Sequence, residues 1–159
     1  MARQVRSLEE LLSLAEVEDV QFYEVHGRVL EGLDPVESGG YDDGLTEQPH
    51  ATSRVLLQDD SLGFRLRLTV RSPLAEYVSD AAVLFRLAEP VSDIDPDIVG
   101  AFIQREAFPV LYPFVRQSIF DLASRMGVES VVLSLARLGE TNFTLNLAAE
   151  DSGRVDNAD

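Results

Sequence analysis

The sequence predicts an α+β fold: a four-stranded antiparallel sheet with a long proline-interrupted helix packed on it. Three observations carry this expectation. Phe64, Leu66, Leu68 and Val70 alternate with Arg65, Arg67, Thr69 and Arg71, the period-2 pattern of a strand buried on one face. Further β-branched and aromatic runs lie on either side of it. Asp95-Pro96-Asp97 then opens a helical stretch that runs on toward Met126 and stops at Gly127.

The elements follow in chain order. Ser7-Leu8-Glu9-Glu10 has the form of a capping box, and Leu8, Leu11, Leu12 and Ala15 recur at helical spacing, which predicts a short amphipathic helix over 8–15. Val20 to Leu30 reads as a strand, with Gly27 marking a bulge. Residues 31–47 hold six acids, no base and several glycines, the composition of a long loop. A second strand is expected over Thr52–Gln58, and Asp59, Asp60, Ser61 and Gly63 supply turn chemistry before the alternating run at 64–71.

Ser72-Pro73 breaks that run, Tyr77 to Ala88 resumes extended character, and Glu89-Pro90 ends the sheet region. In the helical stretch, Pro109 and Pro113 each remove a backbone donor, so the rod is expected to break or bend near Phe108. A second helix from about Val110 then has Pro113 in its first turn, where no intrahelical partner is lost. Ser130 to Leu138 has strand composition. A single domain over 1–148 with an acidic, flexible tail over 149–159 is the resulting organisation.

Composition narrows the function classes. Twenty-eight acids against 13 bases give a formal charge of −15, which opposes a phosphate backbone and argues against nucleic acid as partner. With no cysteine there is no disulfide or thiolate site, and no continuous apolar run suits a signal peptide or a membrane span. A cytoplasmic protein without membrane contact is expected. His26 and His50 stand apart with no ligand spacing around them, so neither a metal nor a Ser–His site is expected, and no cofactor motif is present. Arg65, Arg67 and Arg71 form the one basic cluster and are expected to pair with acids on neighbouring strands.

What stands out is aromatic. Phe102, Phe108, Tyr112, Phe114 and Phe120 crowd around the two prolines, and Leu111, Phe114, Val115, Ser118, Leu122 and Met126 line one helix face, widened by Ile119 and Ala123. Core packing accounts for any one of them. Together they point to more apolar surface than one sheet covers, and so to an oligomer or a greasy groove.

The run Ala107-Phe108-Pro109-Val110-Leu111-Tyr112-Pro113-Phe114-Val115-Arg116-Gln117, followed by Arg125-Met126-Gly127, resembles the helix segment of the SecB export chaperones. Pro109, Pro113, Phe114, Arg116 and Gly127 fall in register with that family's pattern, Tyr112 replaces an aromatic and Gln117 an acid. The resemblance covers roughly residues 20–140 and includes a toxin–antitoxin-associated branch of the family.

It implies a homotetramer built as a dimer of dimers that holds unfolded client polypeptide in hydrophobic grooves without ATP. The clients would be preproteins delivered to the SecA motor, or an antitoxin. On this reading Phe108, Tyr112, Leu133, Leu135 and Phe143 would line the peptide groove, and Phe102, Phe114, Ser118 and Leu122 the oligomer interface. The chain departs from the export members at Glu150–Asp159, which is acidic where they carry a basic, zinc-binding stretch. A hotdog-type thioesterase is the competing enzyme class, with Asp95 and Asp97 as candidate acids, but capping also explains both.

Overall fold

The computed structural model describes residues 1–30, 45 and 47–133, and 147–149 in backbone. Strand β1 (Arg3–Val5) leads into helix α1 (Leu8–Leu14), whose Ser7 cap accepts a bond from the Glu10 amide. Four long strands follow: β2 (Ala15–Val29), β3 (His50–Gln58), β4 (Ser61–Arg71) and β5 (Ala75–Leu87). Strand β6 (Val91–Ile94) pairs in parallel with β1, beside the main sheet. Beyond the helical rod, β7 (Leu147–Ala149) adds a parallel strand to β3.

The sheet runs β2-β5-β4-β3-β7, its first four strands antiparallel. Tight hairpins set the register: Gln58 faces Ser61 across Asp59-Asp60, and Ser72 bonds Ala75 across Pro73-Leu74. One face of the sheet carries Phe64, Leu66, Leu68, Val70, Tyr77, Ala81, Val83 and Phe85, all buried. This is the face the helical rod covers, and it builds the core.

Strand β2 reaches the same face by an indirect route. Its pairing with β5 skips Glu18 and Tyr23, and each skip shifts the register by one residue. Val17, Val20, Phe22, Val25 and Val29, which no single period-2 alternation could align, therefore all stand opposite core-facing residues of β5. The bulges fall at 18 and 23, whereas Gly27 is regularly paired with Tyr77. What Gly27 provides is room: a Cβ there would lie 2.6 Å from Met126 Sδ.

The rod itself does not break. Helix α2 (Pro96–Phe102) begins at Asp95, whose side chain accepts from the Asp97 amide, and passes through a π-turn (Ile103–Ala107) into α3 (Phe108–Met126). The Phe108 amide bonds the Ile103 carbonyl five residues back, and Phe102, Ile103, Ala107 and Phe108 all keep right-handed helical angles. The expected break near Phe108 is thus a widened turn just before Pro109, where the rod absorbs the missing donor without ending. Gly127 closes it with φ 68°, the left-handed cap expected of a glycine.

Phe102 meets Phe85 edge-on, with centroids 5.0 Å apart, and Phe108 stacks on Tyr112 at 5.1 Å. Each fully buried aromatic of this kind contributes about 1.5–3 kcal/mol of burial. After Gly127 the chain returns along the rod: Val131 and Leu133 are buried, and Arg116 Nε donates to the Leu133 carbonyl at 2.6 Å. The stretch 130–133 forms no strand; 134–138 lies outside the described residues, as do most of the acidic loop and the tail.

Candidate functional site

The face of the sheet away from the rod carries the charges. Arg65 grips the Asp80 carboxylate with two bonds of 2.8 Å, and Arg67 reaches Asp80 at 3.3 Å while also pairing with Glu24. Arg71 lies 3.8 Å from Glu76. The arginine row is therefore met by acids of β5 and β2, as its strand position predicts. Tyr23, turned out by its bulge, lies beneath the Arg65 guanidinium, 4.0 Å from its ring centroid.

Burial pushes the Asp80 carboxyl up, but the bonds and charge of Arg65, and then of Arg67, outweigh it and hold the group below its ordinary value. Glu24 is held down chiefly by its bond to Arg67. Such a lattice fixes β2, β4 and β5 to one another.

The apolar opportunity lies at the opposite face, along the β2 edge. Phe22, Val25, Ser118, Asp121, Leu122 and Arg125 line an open furrow of about 200 Å³ between β2 and α3. Its floor is fixed by a polar clasp: Ser118 Oγ donates to the Val115 carbonyl and lies 2.6 Å from Ser79 Oγ. Phe114, one turn before Ser118, is 48% exposed, and Phe22 is 44% exposed. Val17, Val25 and Val29 extend this apolar row along an edge strand whose outer backbone has no strand beside it among the described residues.

The residues singled out from the sequence separate into two groups. Phe114, Ser118 and Leu122 lie together on the α3 face that borders the furrow. Phe102, Phe108, Tyr112 and Leu133 are each at most 4% exposed and belong to the core of this subunit. Leu135 and Phe143 fall outside the described residues. Asp95 and Asp97 are exposed at the start of α2, where Asp95 is engaged as the cap.

Sequence reasoning did not single out the β2 half of the surface, Phe22 and Val25. The bulges that align them interrupt every simple periodicity, and β2 was read from Val20 rather than Ala15. Among the described residues no group of acids and histidines is placed to hold a metal ion, and no helix is long and apolar enough to cross a membrane.

No family model matches the chain. It is similar to the SecB-like chaperone SmegB of Mycolicibacterium smegmatis, 24% identical over 146 residues, which is 91% of this chain and 92% of that protein. Among solved structures it is similar to the Mycobacterium tuberculosis Rv1957 SecB-like chaperone in complex with a ChAD peptide from the Rv1956 HigA1 antitoxin. That likeness has a TM-score of 0.62 at 18% identity and covers 80% of this chain and 91% of the other. The fold, a four-stranded antiparallel sheet with a long helical rod packed on it, is thus that of a SecB-like chaperone, and the sequence is similar to one over most of its length.

Proposed function

We propose that the chain is a chaperone that holds non-native polypeptide without nucleotide and works as an oligomer in the cytoplasm. The observation that carries this reading is the exposed apolar row of β2 beside the furrow and Phe114, more apolar surface than one subunit covers and so available to subunit contact and client together, on a chain whose charge of −15 keeps it dispersed. Its likeness to named chaperones supports it. Holding requires no bond to be made or broken. Apolar side chains of a client segment displace water from a greasy surface, and affinity accumulates over many weak contacts with little demand on sequence.

In this proposal Phe114, Ser118 and Leu122 with the β2 edge form the contact between subunits, and the assembly is a tetramer of two dimers. An edge strand of 15 residues can pair with its own copy about a two-fold axis, because an isologous contact asks the same patch of both partners. Phe108, Tyr112 and Leu133 would act as groove wall only where a client opens the segment that Arg116 ties down. Leu135 and Phe143 would extend that wall.

An antitoxin is the client class favoured by the antitoxin peptide held in the solved neighbour, with export preproteins, and the SecA motor behind them, as the other. The test is suppression of aggregation of a chemically denatured protein by the purified chain, without nucleotide, with light scattering detected in line on size exclusion. Suppression by a tetramer is the expected result. A monomer that leaves aggregation unchanged would overturn the reading, and co-purification from native cells identifies the client.

A further inference from the structure

We infer that the outer edge of β3 is a docking edge for an extended, apolar segment of a client polypeptide, and that β7 is its internal occupant. The inference rests on the holding reading above and gives it a specific place. On its inner side β3 is fully used: all nine residues, His50 to Gln58, pair with β4. On its outer side, among the described residues, Ser53, Arg54 and Val55 alone pair with a strand, through Leu147, Ala148 and Ala149.

The two-residue hairpin decides which backbone groups face outward. Gln58 and Ser61 close it as a hydrogen-bonded pair, so the even-numbered residues of β3 bond β4, and Ser53, Val55 and Leu57 turn their amides to the outer edge. Among the described residues β7 reaches no further than Val55. Beyond it the edge presents the outward backbone of Leu57, flanked by Leu57 on the helix side and Leu56 on the other, the two being 37% and 53% exposed. Backbone groups that select for an extended chain and apolar side chains on both faces are what strand addition uses.

The edge already accepts an extended segment, because one is seated on it. That segment is three residues long, parallel and at the rim of the sheet, the weakest form of strand pairing. A client strand in the same direction and only a few residues longer would make every contact β7 makes and add those at Leu56 and Leu57. Strand β7 therefore competes with clients, and the edge binds with an affinity reduced by the fraction of time it is occupied.

The probe is fluorescently labelled, reduced and carboxymethylated lactalbumin, a permanently unfolded chain, titrated against the full-length protein and three full-length variants. Ala148→Pro and Ala149→Pro are chosen as a pair because, in a parallel ladder, one of two successive residues must donate to β3. The variant that loses its ladder bond is expected to bind the probe about three- to tenfold more tightly. Leu57→Pro removes an outward amide that neither β4 nor β7 uses, and is expected to weaken binding by a similar factor.

Hydrogen exchange over residues 50–58 should slow when the probe is added. If all four proteins bind alike and exchange there is unchanged, clients sit elsewhere and the inference falls while the holding reading stands. Weaker binding by both β7 variants also overturns it, since β7 would then be part of the site. If no form binds the probe, the holding reading fails and takes the inference with it.

Discussion

Arg65 and Asp80 meet in a two-pronged, side-on pair through Nε and one Nη, both bonds 2.8 Å long, with the Asp80 side chain 3% exposed and that of Arg65 38% exposed. Asp80 thus ties strands β4 and β5 together on the face away from the rod. Asp80→Asn keeps the size and one acceptor but loses the charge. We expect a loss of roughly 1–3 kcal/mol, read as a lower urea midpoint with an unchanged slope. An unchanged midpoint would show that solvent screens the pair completely.

The same pair sets a pH dependence. Both Asp80 and Glu24 are held below their ordinary values in the folded state, so the unfolded chain binds protons first as pH falls. Their stabilisation is fully present above the unfolded carboxylate pKa, roughly 4, and is lost as pH drops from there toward their folded values. Relief of repulsion in a chain of charge −15 works in the opposite direction. The comparison that isolates the pair is wild type against Asp80→Asn: their urea midpoints should converge below about pH 4 and stay apart at pH 7.

Gly27 gives a test of how the rod is seated. A Cβ at this position meets first the Met126 sulfur, on a flexible side chain, and then Tyr77 at 3.3 Å. Gly27→Ala should therefore cost less than about 1 kcal/mol, because Met126 can swing aside. Gly27→Leu wedges the end of α3 off β2 and should cost about 1–3 kcal/mol. Met126→Ala in the same chain should restore part of that loss in a double-mutant cycle, whereas strictly additive effects would place the strain elsewhere.

The two groups of helix aromatics should respond in opposite ways. Phe108→Ala empties a fully buried site beside Tyr112 and should cost about 3–5 kcal/mol. Phe114→Ser removes an exposed ring and should leave the melting transition of the subunit nearly unchanged. It should instead reduce tetramer content or aggregation suppression. A variant that keeps both would remove Phe114 from the contact surface.

Much of the architecture was legible in the residues because local chemistry and tertiary environment agree. The alternation at 64–71 is the β4 strand, Asp95-Pro96-Asp97 caps the rod and Gly127 ends it. What escaped was context-dependent. Strands β1, β6 and β7 are three or four residues long, too short to show a period, and exist only where a partner edge meets them. The rod was expected to break or bend near Phe108 because proline rules describe a regular α-helix, while the π-turn at 103–107 carries the backbone on to Pro109 without a break.

The surface was harder to read than the fold. Five helix aromatics stood out, but spacing alone does not tell a ring that faces the sheet from one that faces water. Phe108 and Phe114 are six residues apart and lie in opposite environments. The sheet side of the furrow was hidden because Phe22 and Val25 share a face only through the skip at Tyr23.

Those skips have a bearing on how this strand can vary. Glu18 and Tyr23 are surplus to the ladder, so losing either one closes a bulge and leaves every other side chain of β2 facing the way it did. Loss of a residue elsewhere in a strand turns over all that follows it. Tolerance of insertions and deletions is thus confined to two points on β2, and relatives that differ in length there can keep the same interior.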